Sequence, residues 1–127
     1  MSVNCYLTTI CQTGPAYVTF EPDFTWDAIA VSEAPVNLEQ FRYEFTPFPD
    51  AVFFTGAYES DVHDSPRPSL YKTAVYFEIN QAWLVIDGEL VSSPRPWSPE
   101  QRIVLQREHK LVRLFIAGVE QARHVYE

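Results

Sequence analysis

Three groups of side chains in this sequence could do chemistry. The first is the stretch "EPDFTWD", with Glu21, Asp23 and Asp27. Two carboxylates two positions apart on one strand face could serve a retaining glycosidase, whose acid pair stands about 5–5.5 Å apart. Pro22 interrupts that strand and the third acid comes late, so turn and edge positions account for these acids more simply. The second group is "YESDVHDS" at 58–65, where Glu59, Asp61 and His63 alternate and Asp64 is adjacent. Oxygen-rich loops suit calcium, which makes Glu59, Asp61 and Asp64 the candidate calcium ligands; no other cofactor is implied. The stretch lacks the Gly or Asn that a compact loop of carbonyl ligands uses, so a solvated acidic loop is the plainer reading. Ser60, His63 and Asp64 are sequence neighbours, and neighbours rarely meet the geometry of a nucleophilic triad.

The third group is aromatic. A Trp face can bury the apolar C–H surface of a sugar while hydroxyls find polar partners. Trp26 and Trp83 fit core positions. Trp97 lies in the proline-rich "SSPRPWSP" beside Arg95, so it is expected to be the exposed one, with Arg95 stacked on it. The candidate ligand-binding set is therefore Trp97, Arg95, Tyr58 and His63, against the plainer reading of core and loop packing. No residue is assigned a catalytic role. His63, His109 and His124 lack metal-ligand spacing, and no Gly-rich phosphate loop, Cys-x-x-Cys or His-Glu-x-x-His motif occurs.

Charge narrows the partners. Nine Lys and Arg against 17 Asp and Glu leave a formal net charge of −8. Binding a phosphate backbone needs clustered cations that release counterions, so nucleic acid and an anionic membrane are both poor partners. The opening "MSVNCYLTTICQTG" has neither a basic segment nor a long apolar one, and no run approaches the roughly 20 apolar residues of a membrane helix. Synthesis in the cytoplasm is expected.

The elements that must position these residues read as strands. The chain of 127 residues is expected to form one domain over 1–127, with 1–15 an N-terminal strand or arm, and a chain of this size buries roughly two-thirds of its unfolded surface. Aromatics make up 15% of residues, and ten prolines against four glycines punctuate the chain. Aromatic and β-branched runs between breaks suit short strands, placed at 5–11, 16–20, 28–32, 38–46, 51–57, 73–79, 82–86, 89–92, 102–107, 111–116 and 119–126. "LVIDGEL" at 84–90 and "LFIAGVE" at 114–120 echo each other as two similar hairpins. Asp87-Gly88 suits a two-residue turn; Ala117-Gly118 suits it less, because Ala resists positive φ.

One stretch is ambiguous. In "WSPEQRIVLQREHKLVRLFIAG" at 97–118, Ser98, Pro99 and Gln101 spell a helix N-cap, first-turn proline and capping box. The apolar spacing favours strands: Ile103 and Leu105 alternate with Val104 and Gln106, "REHK" turns, and Val112, Leu114 and Ile116 share one face opposite Leu111, Arg113 and Phe115. Cys5 and Cys11 on one strand would lie about 20 Å apart, far beyond the reach of a disulfide.

The ordered segments "WDAIAVS", "FRYEFTP", "AVFFTGA", "AVYFEI" and "WLVIDGEL", followed by 97–118, resemble a concanavalin A-like, laminin-G-like jelly-roll module. Such modules occur in phage tail and virion proteins and in bacterial surface adhesins. The resemblance spans roughly 16–127 and is most specific from Trp83 to Gly118. It implies an all-β fold of two antiparallel sheets with little or no helix. Such sandwiches host lectins, hydrolases and structural modules alike. The function expected from it is a non-enzymatic virion or tail-associated protein that decorates a particle through protein or glycan contacts. A freestanding carbohydrate-binding lectin, possibly calcium-dependent, is the alternative, and a small glycoside hydrolase a minor one. Exposed strand edges and aromatic surface favour a homo-oligomer.

Overall fold

The computed structural model describes residues 5–13, 25–32, 34–47, 52–59 and 68–126. Eleven strands are described: β1 (Cys5–Thr13), β2 (Thr25–Val31), β3 (Gln40–Phe45), β4 (Phe53–Glu59), β5 (Tyr71–Glu78), β6 (Gln81–Ile86), β7 (Glu89–Leu90), β8 (Arg95–Pro96), β9 (Ile103–Glu108), β10 (Leu111–Ile116) and β11 (Val119–Val125). The one helical piece among the described residues is a 3-10 turn at Pro68–Leu70. The strands pair antiparallel. A seven-stranded sheet runs β2-β1-β4-β5-β6-β7, with β8 also on β6; a four-stranded sheet runs β11-β10-β9-β3. The two pack as a sandwich, as the aromatic and β-branched runs predict.

The sheets differ in what they bury. In β10 the exposure strictly alternates, with Val112, Leu114 and Ile116 buried and Leu111, Arg113 and Phe115 half-exposed. This pattern marks a sheet with one face on the core. The larger sheet buries both faces of its centre: every residue from Phe53 to Tyr58 is buried. Its inner face, with Phe53, Val75, Phe77, Leu84 and Ile86, meets Ile103, Leu105, Val112 and Leu114 of the smaller sheet. Its other face gathers Ile10, Phe54, Tyr58, Tyr71, Tyr76 and Val85 into a second cluster. A bulge in the β4–β5 ladder, where the pairing jumps from Ala57↔Thr73 to Tyr58↔Tyr71, carries Tyr71 to that second face.

Buried polar atoms tie the sheets together. The Thr9 and Thr55 hydroxyls lie 2.8 Å apart, and the Tyr43 hydroxyl of the smaller sheet reaches Thr55 at 2.9 Å. At the other side, the Tyr126 hydroxyl meets that of Thr73 at 3.0 Å and donates to the Lys72 carbonyl at 3.1 Å. Such groups stay buried because each has a partner.

The ambiguous stretch resolves as loop, strand, turn and strand. The capping signal is nonetheless real chemistry. The Ser98 N–H donates to the Gln101 side-chain oxygen at 2.9 Å, and the Gln101 N–H donates to the Ser98 carbonyl at 3.0 Å. These contacts close a single turn, which then enters β9 instead of a helix. The expected four-residue "REHK" turn is shorter: β9 runs through Arg107 and Glu108, leaving His109 and Lys110 to reverse the chain with His109 at φ 55°. The two echoing hairpins share one geometry, with Asp87 and Gly88 at φ 51° and 79° and Ala117 and Gly118 at 53° and 80°. Ala117 thus occupies the left-handed region despite its Cβ. Cys5 is a buried free thiol. It lies on the same continuous strand as Cys11, so the separation that rules out a bridge holds.

Candidate binding site

The proline-rich segment 92–102 leaves regular pairing after two residues of β8, because Pro has no N–H for the ladder. Trp97 then turns inward. It is 5% exposed, meets Phe77 edge-on at 5.1 Å between centroids, and belongs to the main core. Its indole N–H donates to the carbonyls of Glu78 at 2.9 Å and Gln81 at 2.8 Å. The expectation of an exposed Trp97 is therefore corrected: the indole fills the end of the sandwich and closes the β5–β6 turn. Arg95 does not stack on it. The cation–ring contacts among the described residues are Arg107 over Tyr126 at 4.0 Å and Arg113 near Phe115 at 5.4 Å. The Arg95 Nε is shielded from solvent and has no hydrogen-bond partner among the described residues.

Tyr58 is also corrected. It is fully buried and packs edge-on against Tyr71 at 4.9 Å, which removes it from any surface site. Glu59 pairs with Lys72 at 3.3 Å. Asp61, His63 and Asp64, the rest of the calcium and ligand candidates, lie outside the described residues, as do Glu21 and Asp23. Asp27 sits on β2, opposite Cys11. Among the described residues no group of three His, Cys, Asp or Glu is placed to hold a metal ion. Trp83 is half-buried and stacks on Tyr76 at 5.4 Å, consistent with its expected place near the core.

Two surfaces emerge instead. One is the outer face of the four-stranded sheet. Register places Arg42, Gln106, Arg113 and Arg123 in one row across β3, β9, β10 and β11, at about 4.8 Å per strand. Val104 and Phe115 are adjacent in the row on one side, and Leu111 and Val125 in the row on the other. Carboxylates hold the cations in place: Arg42 and Arg102 grip Glu44 at 2.7 and 2.6 Å, Arg113 faces Glu108 at 3.6 Å, and Arg123 meets Glu120 at 3.1 Å. Gln106 donates to Glu108 as well. The hydrogen bonds from Arg42 and then Arg102 hold the Glu44 carboxyl below its ordinary pKa.

The other surface is a depression of about 330 Å³ at the Trp97 end, lined by Pro96, Trp97, Ser98, Gln101, Ile116, Ala117, Val119 and Gln121. Three segments build it: the loop after β8, the end of β10 and the start of β11. Sequence reasoning missed Gln101, Val119 and Gln121 as site residues, since only the fold brings 96–101 against 116–121. The arginine row has no local signal of its own: Arg113 shares its strand phase with Leu111 and Phe115, and the other members of the row come from other strands. Comparison with family models, with curated proteins and with solved structures gave no match.

Proposed function

We propose that this chain is a non-enzymatic binding and assembly module of the concanavalin A-like or laminin-G-like jelly-roll type. In this reading it belongs to a phage virion or tail, is made in the host cytoplasm, and decorates the particle by contacting other virion or surface proteins, copies of itself included, with glycans as a second class of partner. The observation that supports it is the open face of the four-stranded sheet. Arg and aromatic side chains are enriched where proteins meet, and here three arginines share one row with Phe115 in the next. Val125 on the edge strand is 60% exposed, and Arg42 and Arg123 are more than half exposed. Preset Arg–Glu pairs hold the array in one geometry, which lowers the ordering cost of docking.

The test is the solution mass of the full chain beside Phe115→Asp and Val104→Asp. Both positions are half-exposed on the open face, so both variants should keep the wild-type melting temperature within a few degrees. The reading expects a multimer that falls apart in both. Variants that assemble like wild type would remove this face from the assembly.

The resemblance also keeps a freestanding lectin in play, and the depression beside Trp97 is the observation that favours it. Among the described residues the lining of that depression carries no carboxylate.

A further inference from the structure

We propose that Trp83, Tyr76 and Glu78 form a one-electron relay: an oxidising equivalent taken up at the Trp83 indole passes to Tyr76 as the phenolic proton passes to Glu78. All three belong to the seven-stranded sheet. The four-stranded face that carries assembly in the reading above has no part in the relay, so either can fail without the other.

Register puts the rings in contact. Phe54, Tyr76 and Trp83 are direct cross-strand partners on β4, β5 and β6, and such partners interact through their side chains. Tyr76 lies 5.4 Å from Trp83 with 29° between the ring planes, and 4.5 Å from Phe54 at 28°. Both are stacked contacts. The row grades in exposure: Trp83 is half-buried, while Tyr76 is 6% exposed and Phe54 7%. Among aromatic side chains, indole and phenol give up an electron far more readily than the phenyl ring. Trp83 therefore meets an oxidant first, and Tyr76 is the next ring that can yield an electron. Phe54 stands between Tyr76 and Tyr71, its other stacking neighbour at 5.6 Å.

The proton has a place to go. A phenol that loses an electron becomes a strong acid, so its oxidation needs a base in reach. The Tyr76 hydroxyl donates to the Glu78 carboxylate at 2.9 Å, within the range for direct proton transfer. The hydroxyls of Tyr43, Tyr71 and Tyr126 instead meet hydroxyls or carbonyls, which take up a proton poorly. Burial, and then the hydrogen bond to Glu78, holds the Tyr76 phenol above its ordinary pKa, so the resting group is the intact phenol and must lose its proton with the electron. A radical oxidant first takes one electron from the Trp83 indole and leaves as its anion, and the indole becomes a radical cation. An electron then moves from Tyr76 to Trp83, and the phenolic proton moves to Glu78. The products are an intact indole, a neutral tyrosyl radical and a neutral carboxyl, with the total charge unchanged.

The test is pulse radiolysis of the full chain with the azidyl radical as oxidant, read by transient absorption, which tells indolyl from tyrosyl radicals. In wild type the indolyl signal should decay as the tyrosyl signal grows, at a rate independent of protein concentration. This phase should lose most of its amplitude in Tyr76→Phe and in Trp83→Phe. Glu78→Gln keeps an acceptor oxygen for the hydroxyl but takes up no proton, and should slow the phase by about a hundredfold. Glu78 is half-buried, so this variant keeps the wild-type circular dichroism and carries the test even where a ring substitution fails to fold. Three results would overturn the relay: tyrosyl growth that scales with protein concentration, undiminished amplitude in either ring variant, or the wild-type rate in Glu78→Gln.

Discussion

Replacing Trp97 by Phe separates a core anchor from an exposed ligand platform. Phenylalanine keeps most of the apolar contact with Phe77 but has no indole N–H. The Glu78 and Gln81 carbonyls then lose the donor that now sits 2.9 and 2.8 Å away. An acceptor left unsatisfied in a shielded place costs about 1–3 kcal/mol, and the smaller ring adds a packing defect of about 1 kcal/mol. The expected loss is about 2–4 kcal/mol. For a domain of this size each kcal/mol lowers Tm by about 3–5 °C, so Tm should fall by about 6–20 °C. Trp97→Ala, which also opens a large cavity, should cost about 3–5 kcal/mol. Calorimetry or urea unfolding monitored by far-UV circular dichroism reads both without using tryptophan fluorescence. A Trp97→Phe chain with the wild-type midpoint would refute the anchoring role and restore Trp97 as a surface residue.

The same geometry sets four other expectations. Thr55→Val should cost about 1–3 kcal/mol because it strips partners from both Thr9 and Tyr43, and its combination with Tyr43→Phe should cost less than the sum in a double-mutant cycle. Gly56→Ala should prevent stable folding, since a Cβ there would lie 2.5 Å from the Ala74 Cα and from the Thr73 carbonyl oxygen; a soluble variant with wild-type circular dichroism and Tm would contradict this. Ala117→Gly should raise stability by about 0.5–1 kcal/mol in urea unfolding, because Ala117 sits at φ 53° and glycine accepts that conformation without its Cβ penalty. The Glu44 carboxyl, lowered by Arg42 and Arg102, stabilises the fold above the unfolded glutamate pKa, and this contribution is lost as pH falls through the lower folded value. NMR titration should find the Glu44 pKa higher in Arg42→Ala than in wild type.

The smaller sheet was legible because water lies on one side of it. Its strands keep the period of two that burial on one face imposes, so Val112, Leu114 and Ile116 could be grouped on one face from their spacing alone. The centre of the larger sheet has no such contrast. "FFTGAY" is buried on both faces, and a continuous apolar run does not say which side chain faces which layer. The bulge that turns Tyr71 outward has no signature in the sequence. The exposure expected of Trp97 fails for a related reason. Prolines around it signal a loop, and a loop suggests exposure, but two carbonyls from the distant β5–β6 turn draw the indole inward. The capping box at Ser98–Gln101 shows a local signal obeyed in its hydrogen bonds while pairing with β3 and β10 makes a strand of 103–108. The arginine row becomes visible only once register is known, because its members come from four strands. Likewise the depression needs 96–101 and 116–121 to meet, which no local pattern encodes.

The most direct test of the account is the molar mass of the full chain by size-exclusion chromatography with light scattering, run in calcium and in chelator. The account predicts one defined multimer, of the same mass in both buffers. A monomer at every concentration, with a melting temperature that rises when calcium is added, would contradict it and point to a calcium-dependent lectin instead.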